Sequence, residues 1–150
     1  MKLAVGSDER THLTDVIVAD LEKRGHTVER VGPLRDENML WPHVAQAVAE
    51  RVARGEADEG ILFCWTGTGV SIAANKVPGI RAALCHDAET ARGARLWNRA
   101  NVLCLSLRAT SEAVAKEILD AWFATPLGTD PLDVECVAAV STIEQQYVRG

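Results

Sequence analysis

Residues 59–87 read EGILFCWTGTGVSIAANKVPGIRAALCHD, and the succession of textures within them decides the fold. EGILFC (59–64) is a wholly apolar run of strand length, suited to a sheet covered on both faces. It ends in a turn with glycines at 67 and 69, after which a helical stretch begins near Val70. A second apolar run, IRAALC (80–85), follows. Strand, glycine turn, helix and strand in that order predict a parallel sheet with crossover helices.

The same alternation extends outward in both directions. Upstream, KLAVG (2–6) predicts a first strand, LTDVIVADLEKRG (13–25) a helix stopped at Gly25, and HTVERVG (26–32) a second strand. A polar loop leads to Pro42, a favourable first helical residue, and HVAQAVAERVARG (43–55) keeps Val44, Ala45, Val48 and Val52 on one face. Downstream, AETARGARLW (88–97) predicts a helix and NVLCLS (101–106) a fifth strand. SEAVAKEILDAWFA (111–124) is amphipathic with Ser111 as its cap, and the tail over 130–148 reads as a helix opened by Pro131. The expected fold is α/β, a three-layer, Rossmann-like, doubly wound five-stranded parallel sheet in a single domain over 1–150. In such sheets ligands gather at the carboxyl ends of strands, which selects the loops after Gly6, Cys64, Cys85 and Ser106.

Composition narrows the partners. A net charge of -5 and singly scattered Lys and Arg leave no basic footprint for nucleic acid or an anionic membrane. No apolar run approaches the roughly 18 residues of a membrane span, and Asp8 and Glu9 interrupt the start before a signal-peptide core could form. A cytoplasmic protein with a small-molecule partner is expected. Cys64, Cys85, Cys104 and Cys136 have no CxxC pairing, which argues against disulfides and structural zinc, and no His/Cys/Asp cluster has metal-ligand spacing. No cofactor is expected.

The loop after the third strand carries the chemistry. Its glycines turn the backbone so that several N–H groups face one point, the outline of an oxyanion site. Cys64, at the strand's last position, sits where the positive end of a helix dipole favours a proton-accepting thiolate. The alternative is an inert buried thiol, the reading adopted for Cys85 and Cys104.

The chain resembles the family of ribose-5-phosphate isomerase B and the galactose-6-phosphate isomerase subunits. GSD (6–8), GEADEGILFC (55–64), TGTGVSIAANKVPGIRAALCHD (66–87), WNRANVL (97–103) and AKEILDAW (115–122) carry the likeness. The resemblance implies strand order 2-1-3-4-5, a homodimer (with pairing into tetramers left open) whose sites lie at the subunit boundary, and metal-free aldose–ketose isomerisation through a cis-enediolate. It makes Cys64 the base, Thr66 a contact to the ring-opening end of the sugar, and Thr66, Gly67, Thr68 and Gly69 the oxyanion turn. Asp8 then binds sugar hydroxyls, Asn98 reaches the enediolate from the neighbouring subunit, and Arg108 meets a phosphate.

The departures bear on the substrate. Glu9 and Trp97 stand where the family carries histidines, the latter its ring-opening residue, and Arg99 replaces an aspartate. Trp65 replaces the second residue of the usual CGTG turn, Trp41 fills the position of a loop aromatic, and GTDPLDVECVAAV (128–140), which has no arginine, replaces the family's arginine-bearing C-terminal segment. Indole is no acid or base near neutral pH, so ring opening falls to Glu9, to water with Asp8, or to a substrate already open-chain. Trp41, Trp65 and Trp97 suit a less charged sugar, and Arg95 or Arg99 would have to make up lost phosphate contacts. Glu89 is a reserve base. A catalytically silent binder, which would tolerate Cys64 buried under Trp65, and one subunit of a hetero-oligomeric isomerase are the alternatives.

Overall fold

The structure, a computed structural model, describes residues 1–148. Five parallel strands form one sheet: β1 (Lys2–Ser7), β2 (Thr27–Val31), β3 (Glu59–Cys64), β4 (Ala82–Leu84) and β5 (Val102–Ser106). The helices are α1 (His12–Lys23), α2 (Trp41–Ala53), α3 (Thr68–Ala74), α4 (Ala88–Asn98), α5 (Glu112–Ala124) and α6 (Pro131–Tyr147). The expected caps are in place: the Ser111 hydroxyl accepts from the Val114 N–H at 3.2 Å, and Pro131 opens α6.

Alternation along the strands builds two cores. Leu3, Val5, Ile61, Phe63, Leu103 and Leu105 face α1, α4 and α5, where Ile17, Ile118 and Trp122 meet them. Ala4, Leu62, Cys64, Val102 and Cys104 face α2 and α3, against Val44, Val48 and Val70. This assignment of helices to faces is what right-handed crossovers require. Cys64 thus belongs to the α2/α3 face.

The strand order is 2-1-3-5-4, which corrects the expected 2-1-3-4-5. β5 is buried at all five positions and needs a neighbour on each edge. β4 has only three residues, all half-buried, and a short half-buried strand belongs at the rim. The chain therefore skips a place through α3 and returns through α4. The rim beside β4 is flanked by α6, none of whose side chains is buried.

Candidate active site

β1, β3 and β5 end together, and their exits are tied by backbone hydrogen bonds. The Asp8 N–H donates to the Phe63 carbonyl at 3.2 Å, Leu107 N–H to the Cys64 carbonyl at 2.9 Å, and Arg108 N–H to the Trp65 carbonyl at 3.0 Å. The Ser106 hydroxyl donates to the same Trp65 carbonyl at 3.0 Å. These contacts fix the carboxyl end of the sheet as a platform. On it a cavity of about 240 Å³ is lined by Asp8, Trp41, Cys64, Trp65, Thr66, Thr68 and Gly69.

The turn after Cys64 is built around Gly67, whose φ of +77° lies in the left-handed region and whose missing Cβ would come within 2.5 Å of Leu84. In that conformation the Gly67 N–H donates to Cys64 Sγ at 3.2 Å. The expected oxyanion turn is adjusted accordingly. Gly67 spends its donor on the thiol, and the helix starts at Thr68, two residues before the expected Val70, because Gly67 serves as its N-cap. Thr68 and Gly69, in the first turn of α3, keep N–H groups without intrahelical partners. The Thr66 and Thr68 hydroxyls bond each other at 2.7 Å.

Cys64 is 5% exposed yet lines the cavity, while Trp65 is turned outward at 59% exposure. The indole therefore does not bury the thiol. Trp41 lies over Gly69, where a Cβ would meet its ring at 3.0 Å. Asp8 has one carboxylate oxygen, Oδ1, sealed from solvent with no hydrogen-bond partner. Its pKa is raised above the ordinary aspartate value, chiefly by burial and further by the charge of Glu9, against the opposing effect of the Trp65 backbone. Glu9 is exposed and does not line the cavity.

Trp97 and Asn98 lie elsewhere. They end α4 at the amino end of the sheet, just before β5, whereas Ser106 at the far end of β5 pairs with Cys64. The strand between them spans on the order of 13 Å, so one chain does not bring these residues to Cys64. Both instead line a groove of about 640 Å³ between the β4 rim and α6, with Arg81, Val140 and Tyr147 among its walls. The Trp97 ring folds back onto Gly93 of its own helix, with the Arg92 guanidinium 5.8 Å from its centroid.

Two expected substitutes for lost phosphate contacts are already engaged. Arg95 is buried and paired with Glu59 at 3.0 Å, and its guanidinium sits 4.9 Å from the Trp122 ring. Arg99 donates to the Gly128 carbonyl at 2.5 Å. Glu89, the reserve base, pairs with Arg92 on the surface. Arg108 is exposed, with no ion pair among the described residues. The Glu59–Arg95–Trp122 cluster, completed by a hydrogen bond from the Trp122 indole to Glu59 at 2.5 Å, is a feature the sequence reading missed. Its one signal was an acid opening an otherwise apolar strand, and strand-opening acids are ordinarily solvated.

The fold is shared with known proteins. The Ribose/Galactose Isomerase family profile matches residues 3–133. The chain belongs to that family. Ribose-5-phosphate isomerase B of Escherichia coli K12 is 42% identical over 142 residues, covering 93% of this chain and 95% of that protein. A D-erythrulose-4-phosphate isomerase of Mycolicibacterium smegmatis is 41% identical over 126 residues, covering 81% of this chain and 83% of its own length. Among solved structures, Clostridium thermocellum ribose-5-phosphate isomerase B superposes with a TM-score of 0.91 at 39% identity, covering 99% of this chain and 100% of that one. As a family member the chain is a sugar phosphate isomerase of the aldose–ketose type, its substrate not fixed by these likenesses.

Proposed function

We propose that the cavity at the end of β3 is the proton-transfer site of this isomerase. Cys64 takes a proton from the carbon beside the sugar carbonyl and delivers it to the former carbonyl carbon, while the hydroxyl proton passes between the two oxygens. The negative charge of the intermediate cis-enediolate falls beside the free amides of Thr68 and Gly69 and the hydroxyl of Thr66, donors fixed in place before the charge develops. Asp8 binds a sugar hydroxyl, and Arg108, on the adjoining strand exit, meets the phosphate. The observation that carries this reading is the Gly67 N–H held on Cys64 Sγ in a cavity that also contains Asp8.

The site is completed by a second copy of the chain. Asn98 and Trp97 are exposed far from their own Cys64, and Ile72, Trp65 and Trp97 are each more than half exposed, a surface suited to a homodimer. The dimer brings one subunit's Asn98 and Trp97 to the other's cavity. The likenesses name substrates of several sizes: ribose 5-phosphate, D-erythrulose 4-phosphate and galactose 6-phosphate. A sugar-phosphate substrate supports a cytoplasmic enzyme, and no described helix is long and apolar enough to cross a membrane.

Proton NMR in D2O tests the chemistry, with deuterium entering the substrate at the carbon from which Cys64 takes its proton. Replacing Cys64 with Ala should lower exchange by about 10²- to 10⁴-fold. Exchange untouched by the substitution would remove Cys64 as base. Mixing Cys64→Ala with Asn98→Ala protein should restore turnover by re-forming one intact site per dimer, and no recovery after subunit exchange would sink the shared-site reading.

A further inference from the structure

Opening a cyclic sugar demands two proton movements at once, one onto the ring oxygen and one off the anomeric hydroxyl. The groups facing the Cys64 cavity offer little for this. None of the four histidines lines it: His12 lies beside Glu112 at 3.7 Å, His26 stacks on Phe123 at 4.4 Å, and His43 and His86 are exposed outside its walls. Cys64 is committed to the carbon-bound proton. The Thr66 and Thr68 hydroxyls, bonded to each other, can relay a proton but do not ionise near neutral pH. Asp8 is left as the one ionisable oxygen acid lining the cavity, and its Oδ1 is sealed from solvent, which leaves it at most one oxygen to present to a sugar ring. The surface that the second copy would bring offers Trp97 and Asn98, neither of which exchanges protons near neutral pH.

We infer that the substrate is one that stays open-chain, with a short carbon skeleton whose ring-closing hydroxyl is missing or carries the phosphate. This rests on the isomerase reading above and deepens it by naming the substrate class. A tetrose or tetrulose 4-phosphate meets the requirement. The oxygen that would close a five-membered ring is esterified, and closing on any other hydroxyl gives a ring of four atoms or fewer. A pentose 5-phosphate does not meet it, because its C4 hydroxyl closes a furanose. The aromatic walls point the same way. Trp41 is packed against Gly69 and lines the cavity, so the room beside the reacting carbons is bounded on that side by a rigid ring.

The class leaves a kinetic signature. An enzyme that binds only the open form sees a cyclising sugar at an apparent Kd raised by the inverse of its open fraction. Once the enzyme consumes open form faster than rings open, adding more enzyme no longer raises the rate. The experiment compares D-erythrulose 4-phosphate with ribose 5-phosphate over a wide range of wild-type enzyme concentration, followed by NMR. With the tetrulose, turnover should rise in proportion to enzyme throughout. With ribose 5-phosphate, kcat/KM should be lower by roughly 10²-fold or more, and the rate should level off at the uncatalysed ring-opening rate. A Trp97→His variant should shift the ratio at least about tenfold toward ribose 5-phosphate.

Ribose 5-phosphate turned over as efficiently as the tetrulose, at rates proportional to enzyme at every concentration, would overturn the inference. Loss of that turnover in Asp8→Asn would then assign ring opening to Asp8. Absence of exchange with both substrates would be a failure of the isomerase reading itself, a result distinct from failure of the substrate class.

Discussion

The two ends of β3 carry opposite designs. At the amino end, Glu59 is buried and held by Arg95 and Trp122, and Arg95 also donates to the Ala100 and Thr125 carbonyls. At the carboxyl end, Cys64 opens into a cavity, Asp8 keeps an unpartnered oxygen, and tryptophans stand partly in solvent. The same residue type serves both. Trp122 is fully buried, whereas Trp41 and Trp65 are 43% and 59% exposed. Polar groups at the first end are satisfied within the chain and contribute rigidity. At the second, the Asp8 oxygen is left without a partner in the chain, and the cost of holding it is borne by the rest of the fold.

The largest expected effect tests the satisfied end. Arg95→Met leaves the Glu59 carboxylate buried without its cation, which should cost about 3–5 kcal/mol and lower Tm by roughly 10 °C in calorimetry. Adding Glu59→Leu should recover much of the loss, because a buried pair is expensive to break and far less expensive to replace. An Arg95→Met protein as stable as wild type would mean that the two ends do not differ as described.

A smaller effect is expected from Gly67→Ala at the open end. The added Cβ meets Leu84 and forces a non-glycine residue into the left-handed region, at a cost of about 1–3 kcal/mol. Because the Gly67 amide holds Cys64 Sγ, exchange activity should fall by more than the stability change explains, with the loss in kcat. A variant of unchanged kcat would detach this amide from the chemistry.

The smallest effect has the opposite sign. Burial raises the Asp8 pKa, so folding disfavours its ionised form, and the wild-type chain loses stability as pH rises from the ordinary aspartate range through the raised value. Asp8→Asn should therefore raise Tm at neutral pH by a few degrees at most, since a half-exposed carboxylate is partly screened. The gain should vanish as pH falls below about 4, where Asp8 becomes protonated in the folded and the unfolded chain alike. A gain independent of pH would assign the effect to packing.

Much of the fold was legible because strands, helices and caps are dictated by local patterns. Five strands and the helix openings at Ser111 and Pro131 came from apolar runs and capping residues. Strand order did not, because β4 and β5 are both short apolar runs and only their lateral neighbours reveal which lies at the rim. The site was legible in part. Cys64, Asp8 and the 66–69 turn converge because strand ends converge in any parallel sheet, but the separation of Trp97 and Asn98 from Cys64 depends on which way α4 runs back across it. Arg95 looked like a free cation, since a sequence cannot say that Glu59 and Trp122 lie beneath it.

By itself, then, the sequence determined the periodicities, the glycine turn and the chemistry available at its edge, all of which are properties of residues close along the chain. The tertiary structure decided which strand is the rim, which cation is sealed into the core, and that Trp97 and Asn98 lie at the opposite end of the sheet from Cys64. Those outcomes depend on contacts between residues far apart in the chain, and burial and direction become defined only when such contacts form.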